Sequence, residues 1–162
     1  MAGTVLTPSR LVDRVAASID QELGSAGWVR SVFAFDVFPT IEPATLLHCS
    51  YSVGLGRSLV QSQDGRQRRT RGLLVSTEVQ VRFAVVLEAL DQVLDYSEGL
   101  HHEVDLVQAV MVTESDPHLS LALLQIEPRQ VLDQTVFLGE ARFAAMHLYP
   151  IDPTAPTRYP NP

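Results

Sequence analysis

The sequence predicts an α+β fold: a mainly antiparallel sheet with two helices packed on one face. Three observations predict it. Two stretches, residues 8–23 and a second beginning near 90 or 96 and ending at 112, repeat apolar residues at mostly three- and four-residue spacing, the mark of an amphipathic helix. The other structured stretches alternate apolar with polar residues or concentrate β-branched and aromatic side chains, as half-buried strands do. The order is helix, strands, helix, strand pair, which groups strands with strands and fits an α+β layer arrangement.

Thr7-Pro8-Ser9 opens the first helix, because proline suits the first turn and a hydroxyl residue before it suits a cap. Leu11, Val12, Val15, Ile19 and Leu23 share one face, and Gly24 and Gly27 end the element. Residues 29–38 read as a strand or an extended lead-in closed by Pro39, and 40–43 as a connection. Residues 44–55 read as a strand with Leu47, Cys49, Tyr51 and Val53 on one side, and Gly54 and Gly56 mark a bend or bulge. A long polar segment at 58–72 follows, holding the hairpin-turn dipeptide Asp64-Gly65.

Residues 73–87 resume as a strand. Val79, Val81, Phe83 and Val85 alternate there with Gln80, Arg82 and Ala84, so the first set is expected to be buried, against Leu100, Val104 and Val107 of the second helix. Residues 44–87 together form a long strand hairpin with an arginine-rich tip. Val93, Leu100, Val104, Val107 and Met111 mark the apolar face of the second helix. Gly99 either delays the start of that helix or permits close packing on the sheet.

Residues 119–126 read as a strand broken by Pro128, and 135–148 as the last long strand. In the last strand Val136, Leu138, Phe143 and Ala145 mark buried positions, and a slip of phase near Gly139 suggests a bulge. Five prolines between 150 and 162 exclude a helix or a central strand. The expected organisation is a single α+β domain at 1–149 and an extended Pro-rich C-terminal arm at 150–162, free or docked on a neighbouring subunit.

With 162 residues, 46% of them apolar, the chain can build a core without a disulfide or a metal. Its one cysteine, Cys49, excludes an internal disulfide and a multi-cysteine zinc site. No basic segment followed by an apolar run reads as a signal peptide, and no run approaches the ~20 apolar residues of a membrane helix. The net charge of −7 argues against general nucleic-acid binding. All 12 cationic side chains are arginine, and Arg57, Arg66, Arg68, Arg69 and Arg71 lie in one window. Those five with Asp64 make the window +4, which leaves −11 for the rest of the chain.

His48 and Cys49 are adjacent on a strand and point to opposite faces, which fits a buried structural cysteine better than a Cys/His nucleophile pair. Glu98, His101, His102, Glu103 and Asp105 contain two i,i+4 pairs on different helix faces, and a solvated polar face is the better reading. The run Gly54-Leu55-Gly56-Arg57-Ser58 lacks the Gly-Lys-Ser/Thr ending of a phosphate-binding loop. No catalytic, cofactor-binding or metal-binding residue is assigned, and no cofactor is expected. The arginine cluster has three readings: a solvated loop, a phosphate contact, or a contact with an acidic neighbour. The last is preferred because the rest of the chain is acidic and guanidinium pairs with carboxylate in a fixed two-bond geometry. The expected protein-contact residues are Arg66, Arg68, Arg69 and Arg71 at the tip, with Arg158 and Tyr159 in the arm.

The order and spacing of these elements carry a resemblance. An N-terminal helix leads to a strand region and a long strand pair whose second member is Ser76-Thr77-Glu78-Val79-Gln80-Val81-Arg82-Phe83-Ala84-Val85. A helix over 95–112 and a closing strand pair at 119–126 and 135–148 follow. Over residues 8–151 the chain resembles the tail terminator (tail completion) proteins of long-tailed bacteriophages and related tail-like particles. The resemblance implies a structural virion protein and no enzyme. It implies a subunit of a six-fold ring that caps the head-proximal end of the tail tube, stops tube growth and joins it to the head. The implied partners are further copies of the chain, the tail tube protein and the head–tail connector protein, assembled in the host cytoplasm without a membrane. DNA would pass through the lumen without specific binding, and an acidic lumen suits such sliding because phosphate contacts drive affinity. Two other readings stay open: a small α+β enzyme or ligand-binding domain with a pocket between helices and sheet, and another head–tail joining adaptor.

Overall fold

The computed structural model describes residues 7–31, 35, 49–60, 72–87, 92–115, 119–127, 129–132 and 136–150. They form an α+β fold. Helix α1 spans Pro8–Leu23 and α2 spans Gln92–Met111. The strands are β1 (Trp28–Arg30), β2 (Cys49–Val60), β3 (Gly72–Val86), β4 (Ser120–Ile126), β5 (Gln130–Leu132) and β6 (Val136–Pro150). They make one six-stranded sheet in the order β1-β2-β3-β6-β4, and β5 also pairs with β6. β1 runs parallel to β2, and every other pairing is antiparallel.

The first helix forms for the local reasons its sequence suggests. Thr7 holds an extended backbone, and its hydroxyl accepts from the Arg10 N–H at 3.4 Å, which satisfies one orphan donor of the first turn. Pro8 stands where a missing N–H costs nothing. Leu11, Val15, Ala16 and Ile19 are buried on one stripe, and a short 3-10 turn at Gly24–Ala26 ends the element.

β3 and β6 are the spine of the sheet. Their register is unbroken from Gly72↔Pro150 to Val86↔Val136. Val79, Val81, Phe83 and Val85 are fully buried, as their alternation predicts, and they share one core with Leu11, Val15, Ile19, Leu106 and Val110. Both helices thus lie on one face of the sheet. Ser18 of α1 donates to the Ala109 carbonyl of α2 at 2.8 Å and ties the helices together.

Two glycines set how closely the aromatic layer packs. A β-carbon at Gly99 of α2 would overlap the Phe137 ring, so Gly99 lies inside the helix and permits its approach to the sheet. A β-carbon at Gly139 would overlap the ring of Phe83, its cross-strand partner. Phe83, Phe137 and Trp28 stack beside these gaps, with ring centroids 6.2 and 6.3 Å from Phe83.

Three expectations are corrected. Of the expected α2 face, Leu100, Val107 and Met111 pack partly buried against the core, but Val104 is 52% exposed; the most buried stripe runs through Gly99, Glu103, Leu106 and Val110, with Glu103 paired to Arg129. Gly139 is no bulge: the phase slips there because Val136 and Leu138 pack with Ala84 and Val86 on the opposite face of the sheet. The register shifts lie instead between Leu55 and Ser58 of β2, beside the glycines that suggest a bend, and between Leu123 and Gln125 of β4. Ser58, Leu59 and Val60, expected in the polar loop, extend β2. Gln130–Leu132, to which the sequence pattern assigns no element, pairs with β6. Of the strand expected at 29–38, Val29 and Arg30 lie in β1, and the rest apart from Ser31 and Phe35 is outside the described residues, as are 44–48.

Candidate functional site

The residues singled out for chemistry fall into separate places. Cys49 is fully buried on the helix-covered face, where burial first, and the Glu98 carboxylate second, push its thiol up to about 11. Such a thiol is a core group, because the thiolate is the nucleophile. Tyr51 beside it is also fully buried. Its hydroxyl points at Asp20 Oδ1 (2.6 Å) and the Ala16 carbonyl (3.0 Å), a forked donation that joins β2 to α1. Burial and the bond to Asp20 raise its pKa well above the ordinary phenol range.

The acidic and histidine-rich run on α2 is not a solvated face throughout. Glu103 turns inward and accepts two hydrogen bonds from Arg129, from Nε to Oε2 and from Nη2 to Oε1, both at 2.8 Å. That fork is the strongest carboxylate geometry arginine offers, and it draws the β4–β5 connection onto α2. His102 lies 3.7 Å from Glu98, and its ring stands edge-on to Trp28. His101 Nδ1 lies 2.8 Å from the Ser97 carbonyl, on the exposed side. Among the described residues no three of these groups converge as metal ligands.

Two polar arrangements were not foreseen. On the sheet face away from the helices, Glu140 bridges two arginines: Arg82 Nε donates at 2.8 Å and Arg142 Nε at 2.7 Å. Arg142 also lies 3.8 Å from Glu78, which accepts from Gln80 at 2.6 Å. Arg82 stacks over the Phe35 ring at 4.0 Å and donates to the Phe35 carbonyl. Burial works to raise the Glu140 pKa, but the two hydrogen bonds and the two positive charges outweigh it and hold the carboxyl below its ordinary range. The signal in the sequence was the wetter phase of β3 at Gln80 and Arg82, matched by Glu140 and Arg142 at the same phase of β6.

The second arrangement is a chain of hydrogen bonds across three strands. Ser58 and Thr77 hydroxyls are 2.8 Å apart, and Thr77 Oγ1 is 2.8 Å from His147 Nε2. Thr77 and His147 are enclosed, so a substrate cannot reach them, and the exposed Ser58 touches the imidazole only through Thr77. The chain orders the sheet, and its geometry does not activate a nucleophile.

What the described surface offers is exposed strand. β2 is buried from Cys49 to Val53 and exposed from Gly56 to Val60, with Leu59 and Val60 in solvent although Val75 and Thr77 of β3 at the same level are buried. β4 carries Leu123 and Leu124 outward. No family model and no curated protein matches this chain. The surface must therefore be read from its own chemistry. Arg57 lies exposed in the β2 bulge. Arg66, Arg68, Arg69 and Arg71, in the connection between β2 and β3, lie outside the described residues, as do Arg158 and Tyr159 of the arm.

Proposed function

We propose that the chain is an assembly subunit of the tail terminator type, a structural protein of a phage tail or tail-like particle that forms a ring on the tail tube and joins it to the head connector. One observation carries most of the weight. The end of β2 is exposed from Gly56 to Val60, with Leu59 and Val60 in solvent, and in sequence it leads into the arginine-rich connection. Exposed apolar side chains followed in sequence by a cationic run suit a protein partner, since apolar area supplies affinity and complementary charge supplies register and specificity. The remaining chain carries the −11 that sister copies would present to it. The helix, long hairpin, helix and strand-pair order agrees with the resemblance.

In this reading the arginine tip touches protein within the ring or in the neighbouring ring of the tail. A lumen that lets DNA slide gains nothing from clustered phosphate binders, whose grip would vary steeply with salt. The test is the full chain with Arg66, Arg68, Arg69 and Arg71 changed to serine, examined by light scattering and by joining to tail tubes. The variant is expected to fold and to lose ring formation or joining. Normal assembly, with loss only of salt-sensitive DNA binding, would favour the phosphate reading and overturn this one.

A further inference from the structure

The outer side of α2 carries an apolar row that the core leaves half in solvent. Tyr96, Leu100, Val104 and Gln108 follow at four-residue steps, so they stand one above another along the helix, and Val112 takes the next step in the 3-10 turn behind it. Tyr96, Val104 and Val112 are exposed, and Leu100 is half-buried against the core. A single exposed apolar residue is ordinary on a protein surface, but a row along a helix is the form in which a helix packs on a partner. α2 contains no arginine. Asp105 stands next to Val104, exposed and without an ion-pair partner among the described residues.

The end of β2 presents the complementary chemistry. Arg57 and Leu59 are both exposed and lie two residues apart, the spacing of one strand side. Arg57 also has no ion-pair partner among the described residues. One surface is thus apolar with an unpaired carboxylate, and the other is apolar with an unpaired guanidinium. Either surface set against its own copy brings like charges onto one interface. Set against each other on two copies, they match in both apolar character and charge.

We infer that the outer side of α2 receives the end of β2 from a second copy of this chain, with Val104 against Leu59 and Asp105 paired to Arg57. This inference rests on the ring reading above and names the interface. The contact joins unlike patches, so it is head-to-tail, and each copy offers one patch to each neighbour as a closed ring requires. The apolar residues supply affinity, and the charge pair fixes how the strand end lies across the helix. The arginine run follows β2 in sequence, so the same contact delivers it to a neighbour whose remaining charge is negative.

The test uses full-length chains. Asp105→Arg and Arg57→Asp each set like charges together and are each expected to raise the half-assembly concentration in light scattering roughly ten-fold, one 1.4 kcal/mol step in binding. A chain carrying both reversals restores an opposite pair at every contact and is expected to assemble within about two-fold of the wild type, the sign of direct coupling. Leu59→Cys and Val104→Cys, made in separate chains and mixed, are expected to be joined by a short bismaleimide, while native Cys49 is fully buried. Weakening by both single reversals without rescue in the double variant would overturn the pairing. Cross-linking of either cysteine variant with itself would mean a two-fold contact and would overturn it too. Protection of the Val104→Cys thiol by tail tubes, and not by ring formation, would give the face to the tube protein instead. Wild-type rings that neither reversal disturbs would overturn the contact and leave the ring reading standing. A wild-type chain monomeric at every concentration would remove both.

Discussion

On β3 and β6 the odd-numbered residues face the helices and the even-numbered residues face away, yet both sets are largely withdrawn from solvent. The helix side does this with Val79, Val81, Phe83, Phe137 and Phe143, packed under α1 and α2. The other side does it with Arg82, Glu140 and Arg142 bridged to one another and with Phe35 laid over Arg82. The first kind of burial is non-directional and involves no ionisable group. The second is directional. Arg82 and Glu140 are cross-strand partners, so a slip of one residue would turn one of the two charges into the core and part it from the other. The difference suggests a division of labour in which the apolar face supplies stability and the charged face fixes register.

The largest effect is expected on the apolar face. Phe83→Ala should cost about 3–5 kcal/mol, because the ring is fully buried and touches both other rings of the cluster. Gly139 opposite has no side chain to fill the space. Urea unfolding measures the loss. A cost of about 1 kcal/mol or less would mean that the helices, and not this strand face, hold the core.

How much of this was legible in the sequence depends on the distance over which each choice is made. The bounds of α1 and the alternation of Val79 to Val85 follow from neighbours in the chain, and they were readable. The burial of Glu103 on α2 was not, since it is tolerated only through Arg129, which lies 26 residues further on. Val104 therefore looked like the better core residue. The apparent bulge at Gly139 arose from a second apolar cluster, Ala84 with Val136, that no single-strand pattern reveals. β5, with three residues, is too short to show a period. For the site, the arginine cluster was visible as charge, while the outward stand of Val104 beside Asp105 shows only once Glu103 has taken the inner side of the helix.

A smaller effect is expected from the bridging carboxylate. Glu140→Gln should cost about 1.5–3 kcal/mol, since Glu140 is 5% exposed and accepts from two charged donors. The pH dependence has a definite sign. The folded pKa lies below that of the unfolded chain, so the stabilisation is complete above the ordinary carboxylate range, about 4.3, and is lost as pH falls through the folded value. The stability of the wild-type protein should therefore fall more steeply in that acidic window than the stability of the variant. Parallel urea profiles between neutral and acid pH would mean that Glu140 is not held ionised by its arginines.

The smallest effect separates two glutamates of the same ladder. Glu78 lies 3.8 Å from Arg142 across β3 and β6, with 20% of its own side chain and 40% of the arginine's exposed. A pair this open contributes about 0–1 kcal/mol, because water screens it and two long side chains must be held. Glu78→Gln keeps an oxygen to accept from Gln80 and removes only the charge. The expected loss is therefore within about 1 kcal/mol and should disappear toward 1 M salt, where the screening length falls to about 3 Å. The Glu140→Gln loss should persist in the same salt, because its bonds are short and nearly enclosed. Equal salt dependence for the two variants would mean that the whole ladder is surface electrostatics, and the register role assigned to the charged face would fall with it.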